Sequence, residues 1–122
     1  MVDLINHPPH YNSHPSGVEA IEITEHLDFC SGNAVKYIWR AGEKGKDKEL
    51  QDLRKAVWYL NRWISLVPSV PLIPFPCQDK VASYIKFEPS WRARAMWQII
   101  NHQPLSAISI IEQEILRMEN NV

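Results

Sequence analysis

Lys36 and Arg40 stand four residues apart in a segment, 32–62, that reads GNAVKYIWRAGEKGKDKELQDLRKAVWYLNR. On a helix they share one face with Asn33, and Asp52, Lys55, Tyr59 and Arg62 share a face of the helix that would follow. A lysine and an arginine one turn apart suit phosphate, because the planar guanidinium engages two oxygens and the ammonium acts as a point charge. The same spacing also suits ion pairs with Glu19, Glu22 or Asp52 across a helix interface, and spacing alone leaves both open. Gly42 and Gly45 bracket Glu43 and Lys44, so backbone N–H groups there can face an anion that Lys44 closes over; a plain helix-to-helix turn accounts for the same residues. Glu19 with Glu22, and Glu49 with Asp52, each place two acids one turn apart. Four carboxylates on two packed helices can hold Mg2+, although solvated helix faces often carry such spacings.

His7, His10 and His14 lie among Pro8, Pro9 and Pro15 with no fixed periodicity, so no structural zinc is expected. His10 and Tyr11 read as a pair that stacks on or hydrogen-bonds to a ligand, or as packing on the neighbouring helices. Trp39, Trp58, Tyr37 and Tyr59 are expected mostly in the core, with Tyr59 on a polar face. Trp91, Trp97, Ile99, Ile100, Ile108, Ile111 and Leu116 supply apolar surface for a core or a subunit contact. There is no GxxxxGK[ST] segment and no dinucleotide fingerprint, so phosphoryl transfer here would not use a P-loop.

The elements that would position these groups are helices. Pro8, Pro9 and Pro15 make the N-terminal residues an extended arm. Ser16 is expected to cap a first helix from Gly17 to about Leu27. A second runs from about Gly32 to Ala41 and stops at Gly42. After a turn over Glu43 to Asp47, a third runs from about Lys48 to Leu66 with an apolar stripe of Leu50, Leu53, Val57, Leu60 and Ile64. Helices two and three then form an antiparallel hairpin. Pro68, Pro71, Pro74 and Pro76 rule out a helix there and read as a spacer or strap. Beyond it come a short helix over Asp79 to Phe87, another capped by Ser90 and ending near Asn101, and a last from Pro104 to about Met118. The expected fold class is all-α, with a helical domain over 1–66, a Pro-rich linker over 67–78 and a C-terminal helical segment over 79–122 that serves as lid or oligomer contact.

The chain has 122 residues, enough for one domain with a real core yet small enough to gain from assembly. Its formal net charge is -1, which argues against a general polyanion binder. The cations are uneven all the same: Lys36, Arg40, Lys44, Lys46, Lys48, Arg54, Lys55 and Arg62 fall within one short stretch, which fits a local anion such as phosphate better than a long nucleic acid. Cys30 and Cys77 form neither a disulfide framework nor CxxC spacing, and Met1-Val2-Asp3 lacks the start of a signal peptide, so a reducing cytoplasm is expected. No apolar stretch reaches the roughly 18 residues that a membrane span needs.

With His10-Tyr11, Gly17-x-Glu19, Phe29, Gly32-Asn33-Ala34-Val35-Lys36-Tyr37, Arg40-Ala41-Gly42-x-Lys44 and Asp52-Leu53-Arg54-Lys55-Ala56, continuing to Tyr59-Leu60, the chain resembles a phage-borne family with the pattern HY…G.E…GNAxKYxxRxGxK…DLxKAxxYL. That family includes a small nucleotide kinase acting on deoxynucleoside monophosphates. The resemblance covers roughly residues 6 to 66, with Arg54 standing where the family commonly has Lys. It implies a nucleotide site formed by His10, Tyr11, Asn33, Lys36, Arg40, Lys44, Lys55 and Tyr59. In a kinase, Lys36, Arg40 and Lys44 would stabilise charge on the transferred phosphoryl group, and Asp52 would orient the acceptor hydroxyl or a Mg2+ ion. The expected function is thus a phage-type nucleoside monophosphate kinase with ATP or another nucleotide as substrate, acting as a homo-oligomer in the host cytoplasm. Two alternatives stand beside it. The ExxE…ExxD spacing resembles the all-α pyrophosphohydrolases of the MazG type, in which Glu19, Glu22, Glu49 and Asp52 would hold the metal. A non-catalytic protein that sequesters a nucleotide, such as an immune signal, needs only the basic and aromatic pocket.

Overall fold

The computed structural model describes residues 14–66, 75–88 and 90–120. Among these residues the structure is all-α, with six helices and no strand. The helices are α1 (Ala20–Thr24), α2 (Phe29–Arg40), α3 (Lys46–Leu66), α4 (Gln78–Lys86), α5 (Trp91–Ile100) and α6 (Pro104–Asn120). The expected proline strap falls largely on 67–74, outside the described residues.

Local chemistry explains most of the boundaries and corrects several of them, the end of α1 at Thr24 rather than Leu27 included. Ser16 does not cap α1: its hydroxyl accepts from the Val18 N–H at 3.1 Å, and Gly17 sits at φ 77, outside helical geometry. α1 therefore begins only at Ala20, where the Glu22 carboxylate accepts from the Glu19 N–H at 2.7 Å. α2 begins at Phe29, three residues before the expected Gly32, because Asp28 caps it, accepting from the Ser31 N–H at 2.8 Å and the Ser31 hydroxyl at 2.9 Å. α3 takes in Lys46 and Asp47 from the expected turn, with Asp47 and Glu49 facing the favourable end of its dipole. Gly42 stops α2 as expected. Its φ of 96 suits glycine, and a Cβ there would lie 2.8 Å from Glu49 Oε2. Ser90 caps α5, accepting from the Arg92 N–H at 3.2 Å, and Pro104 opens α6.

α2 packs on α3, α3 on α6, α6 on α5 and α5 back on α2, so the four longest helices close a ring, with α1 against α2 and α4 against α5. A single core draws on every helix, from Ile23 through Val35, Ile38, Leu53 and Leu60 to Val81, Tyr84, Met96, Ile99 and Ile111. Each such aliphatic side chain contributes roughly 1.5–3 kcal/mol when fully buried. The core thus joins the segment after the prolines to the first three helices.

The stripe of α3 is rotated from its expected line. Leu53, Ala56, Leu60 and Trp63 are buried along with Asp52, whereas Leu50 and Val57 are only half-buried and Ile64 is 36% exposed. The shift arises because α3 packs against α2 and α6 at once, and Trp63 turns inward to meet the rings of Phe75 and His102. Phe75 is itself tied to α5 through its N–H, which donates to the Ile100 carbonyl at 2.9 Å.

Candidate functional site

The helical spacing of α2 places Lys36 and Arg40 one turn apart, and the α2–α3 hairpin sets Lys55 opposite them. All three surround the ring of Tyr37: Lys36 Nζ is 4.7 Å from its centroid, Lys55 Nζ 5.3 Å and Arg40 Cζ 5.9 Å. Cations close to an aromatic face are drawn to its negative quadrupole, which offsets part of their mutual repulsion. Arg40 is also paired, with its Nε 3.8 Å from Asp52 Oδ2. Among the described residues, neither Lys36 nor Lys55 has an acidic partner. Three cations against one carboxylate leave this face net positive.

Aromatic rings continue from the cationic end. Tyr37 stacks with Tyr59 at 5.9 Å, and Tyr59 meets the edges of Phe29 at 6.0 Å and Trp58 at 5.0 Å. Phe29 is 74% exposed and Trp58 is 60% exposed, so Trp58 is not the core residue that its type suggested. Tyr37 and Tyr59 are half-buried, and only Trp39 of the four expected aromatics is fully in the core. Such a row offers flat apolar surface beside positive charge.

The other expected site residues divide. Asn33 lies on α2, where its amide donates to the Phe29 carbonyl at 2.7 Å. Lys44 sits in the exposed turn, and Arg62 is exposed further along α3. Asp52 is 6% exposed and sits behind Arg40, so its carboxylate holds the guanidinium rather than facing outward. His10 and Tyr11 lie outside the described residues. Glu19, Glu22, Glu49 and Asp52 do not assemble as a metal site: among the described residues no three His, Cys, Asp or Glu side chains form a group that could hold one. Glu22 is instead committed to the Glu19 N–H and to Lys80 Nζ, 3.1 Å away, which together hold its carboxyl below the usual range.

A second polar cluster, missed at the level of sequence, lies where α2 ends. Arg92 donates from Nη1 to the Trp39 carbonyl at 3.0 Å and from Nη2 to the Ala41 carbonyl at 2.8 Å, which caps the helix whose face carries Lys36. His14 stacks on Tyr84 at 4.2 Å, and its Nε2 lies 3.6 Å from Glu88 Oε1. Burial holds the imidazole below its ordinary value, with Glu88 opposing the shift and Arg92 adding to it. Burial likewise raises the Tyr84 phenol and pushes the Cys77 thiol up to about 11, far from a reactive thiolate. One sequence signal was available: Arg92 stands in the first turn of α5, where the dipole disfavours a cation unless another partner engages it.

Among the described residues, no helix is long and apolar enough to cross a membrane. No curated protein and no solved structure matches the chain. Residues 5–61 match the model of DUF3310, a protein family of unknown function, and that span contains every member of the Lys36–Tyr37–Lys55 cluster.

Proposed function

We propose that the α2–α3 face binds a nucleotide, with Lys36, Arg40 and Lys55 on the phosphates and the Tyr59 and Phe29 rings beside the base. The observation that supports this most directly is the ring of three cations around Tyr37, two of them without an acidic partner among the described residues. Lysines and an arginine gathered around one ring suit a phosphate group, and an adjoining aromatic row suits a flat base. The activity we assign is phosphoryl transfer to a nucleoside or deoxynucleoside monophosphate. In that reaction an acceptor phosphate oxygen bonds to the γ-phosphorus of ATP as the bond to the β-phosphate oxygen breaks and ADP leaves. Lys36 and Arg40 are placed to balance the charge of the transferred group, and Asp52 keeps Arg40 in position. A phage setting and a homo-oligomer belong to the same proposal.

The test is incubation of the full chain with Mg2+, ATP and each deoxynucleoside monophosphate in turn, with the products resolved by chromatography. Diphosphate products support the kinase. A triphosphate converted to monophosphate and pyrophosphate would replace it with the pyrophosphohydrolase. Saturable binding with the nucleotide left intact would replace both with a sequestering protein. Lys36→Ala and Lys55→Ala should each weaken nucleotide binding while the helical circular dichroism is unchanged. Unaltered affinity in both variants would remove the phosphate site.

A further inference from the structure

A groove of about 910 Å3 opens between α4, α5 and α6. Its lining includes Trp91, Arg94, Trp97 and Gln98 from α5, Ile85 from α4 and Ile110 from α6. None of these residues lies within the span that matches a known family. The volume falls in the range of roughly 300–1,000 Å3 typical of small-molecule sites, which combine apolar walls with a few polar groups.

We propose that this groove binds a small planar aromatic anion, a carboxylate or a phosphate monoester, with the ring between the two indoles and the acid on Arg94. The two indoles supply flat apolar surface from one helix. Trp91 is held in place: Arg92 lies over its ring at 5.2 Å, and the Arg92 guanidinium is itself anchored on the Trp39 and Ala41 carbonyls. Trp97 is 36% exposed, lines the groove and has no ring partner among the described residues. Arg94 is exposed and makes no ion pair among the described residues. A guanidinium without a counter-charge, beside two indoles, complements an acid carried on a ring, because its planar fork accepts a carboxylate or phosphate edge. Gln98 stands one turn beyond Arg94, within the same lining, and supplies a neutral donor and acceptor for orientation.

The test titrates the full chain, labelled with 15N, with indole-3-acetate, with neutral indole-3-acetamide and with 1-naphthyl phosphate. The indole N–H signals of the five tryptophans are the readout, and Trp91→Phe and Trp97→Phe assign two of them. Saturable shifts of the Trp91 and Trp97 signals are expected with at least one acid, and the amide should bind at least fivefold more weakly. Arg94→Gln should weaken the acid at least fivefold and leave the amide unchanged, with the rest of the spectrum intact. Response to only one acid identifies carboxylate or phosphate as the ligand class. Absence of saturable shifts at both indoles with all three probes, or equal affinity for acid and amide, would overturn the proposal.

Discussion

The Arg92 guanidinium, in the first turn of α5, donates from Nη1 to the carbonyl oxygen of Trp39 at the end of α2, 3.0 Å away. A second bond, from Nη2 to the Ala41 carbonyl at 2.8 Å, completes a cap supplied from 51 residues further along the chain. The last carbonyls of a helix lack partners within it, and a charged donor satisfies them more strongly than a neutral one. Arg92→Ala should therefore lower stability by about 2–3 kcal/mol, with Arg92→Lys recovering only part of the loss. Urea unfolding of the three proteins checks this, and an alanine variant as stable as the parent would show that the cap contributes nothing.

Asp52 and Arg40 form an unequal pair, because the carboxylate is buried and the guanidinium side chain is about a quarter exposed. Arg40→Ala leaves a buried charge without its counter-ion, whereas Asp52→Asn leaves a cation that can turn to water. Removing Arg40 should cost more, about 2–4 kcal/mol, against about 1–2 kcal/mol for Asp52→Asn. The order of the two midpoints in chemical denaturation is the measurement, and a reversed order would place the Asp52 charge in a better solvated setting than its burial implies.

Phe29 is exposed at the start of α2 and touches Tyr59 by its edge. Phe29→Ala should change stability by no more than about 0.5 kcal/mol, as surface substitutions generally do. Under the nucleotide reading it should still weaken binding about tenfold, in line with the ~1–3 kcal/mol typical of base stacking. Calorimetric titration with a deoxynucleoside monophosphate separates the two effects, since an unchanged affinity would remove Phe29 from the site.

His14 gives the fold a dependence on pH. Its ordinary value is 6.5, and burial lowers it in the folded chain. Below pH 6.5 the unfolded state therefore takes up the proton first, so the stability tied to the neutral ring is present above 6.5 and lost as the pH falls through the folded value. His14→Gln should flatten that part of the decline. Parallel stability curves for parent and variant between pH 7.5 and 5 would rule out this role.

Much of the helical framework was legible in the sequence because helix ends are local events. Ser90 and Pro104 open α5 and α6 where the sequence predicts, and Gly42 stops α2 through a backbone conformation that glycine alone adopts freely. The start of α1 was misjudged for an equally local reason: the Ser16 hydroxyl bonds two residues on and forms a turn, an option that serine offers as readily as a cap. The start of α2 lies before the expected Gly32 because Asp28 caps it, through a bond to the Ser31 N–H that apolar periodicity does not signal.

The candidate site was only half legible. Residue type and spacing brought Lys36, Arg40 and Lys55 forward, and the hairpin does gather them around Tyr37. The fate of individual side chains was another matter. Helical spacing puts Asp52 and Tyr59 on one polar face, yet Asp52 is buried and Tyr59 joins an aromatic row. Trp58 has the composition of a core residue and lies outside, because Ala56, Leu60 and Trp63 already fill the sides of α3 that meet α2 and α6.

By itself the sequence determined that the described chain would be helical, roughly where its helices would start and stop, and which side chains would share a face, since all of these depend on residues within about one turn of each other. Only the tertiary structure decided which neighbour covers each face. It set Arg92 on the end of α2, His14 against Tyr84, Asp52 behind Arg40 and three cations around one tyrosine. Periodicity states what can lie together on one helix, whereas burial and charge pairing across helices follow from how the whole core packs.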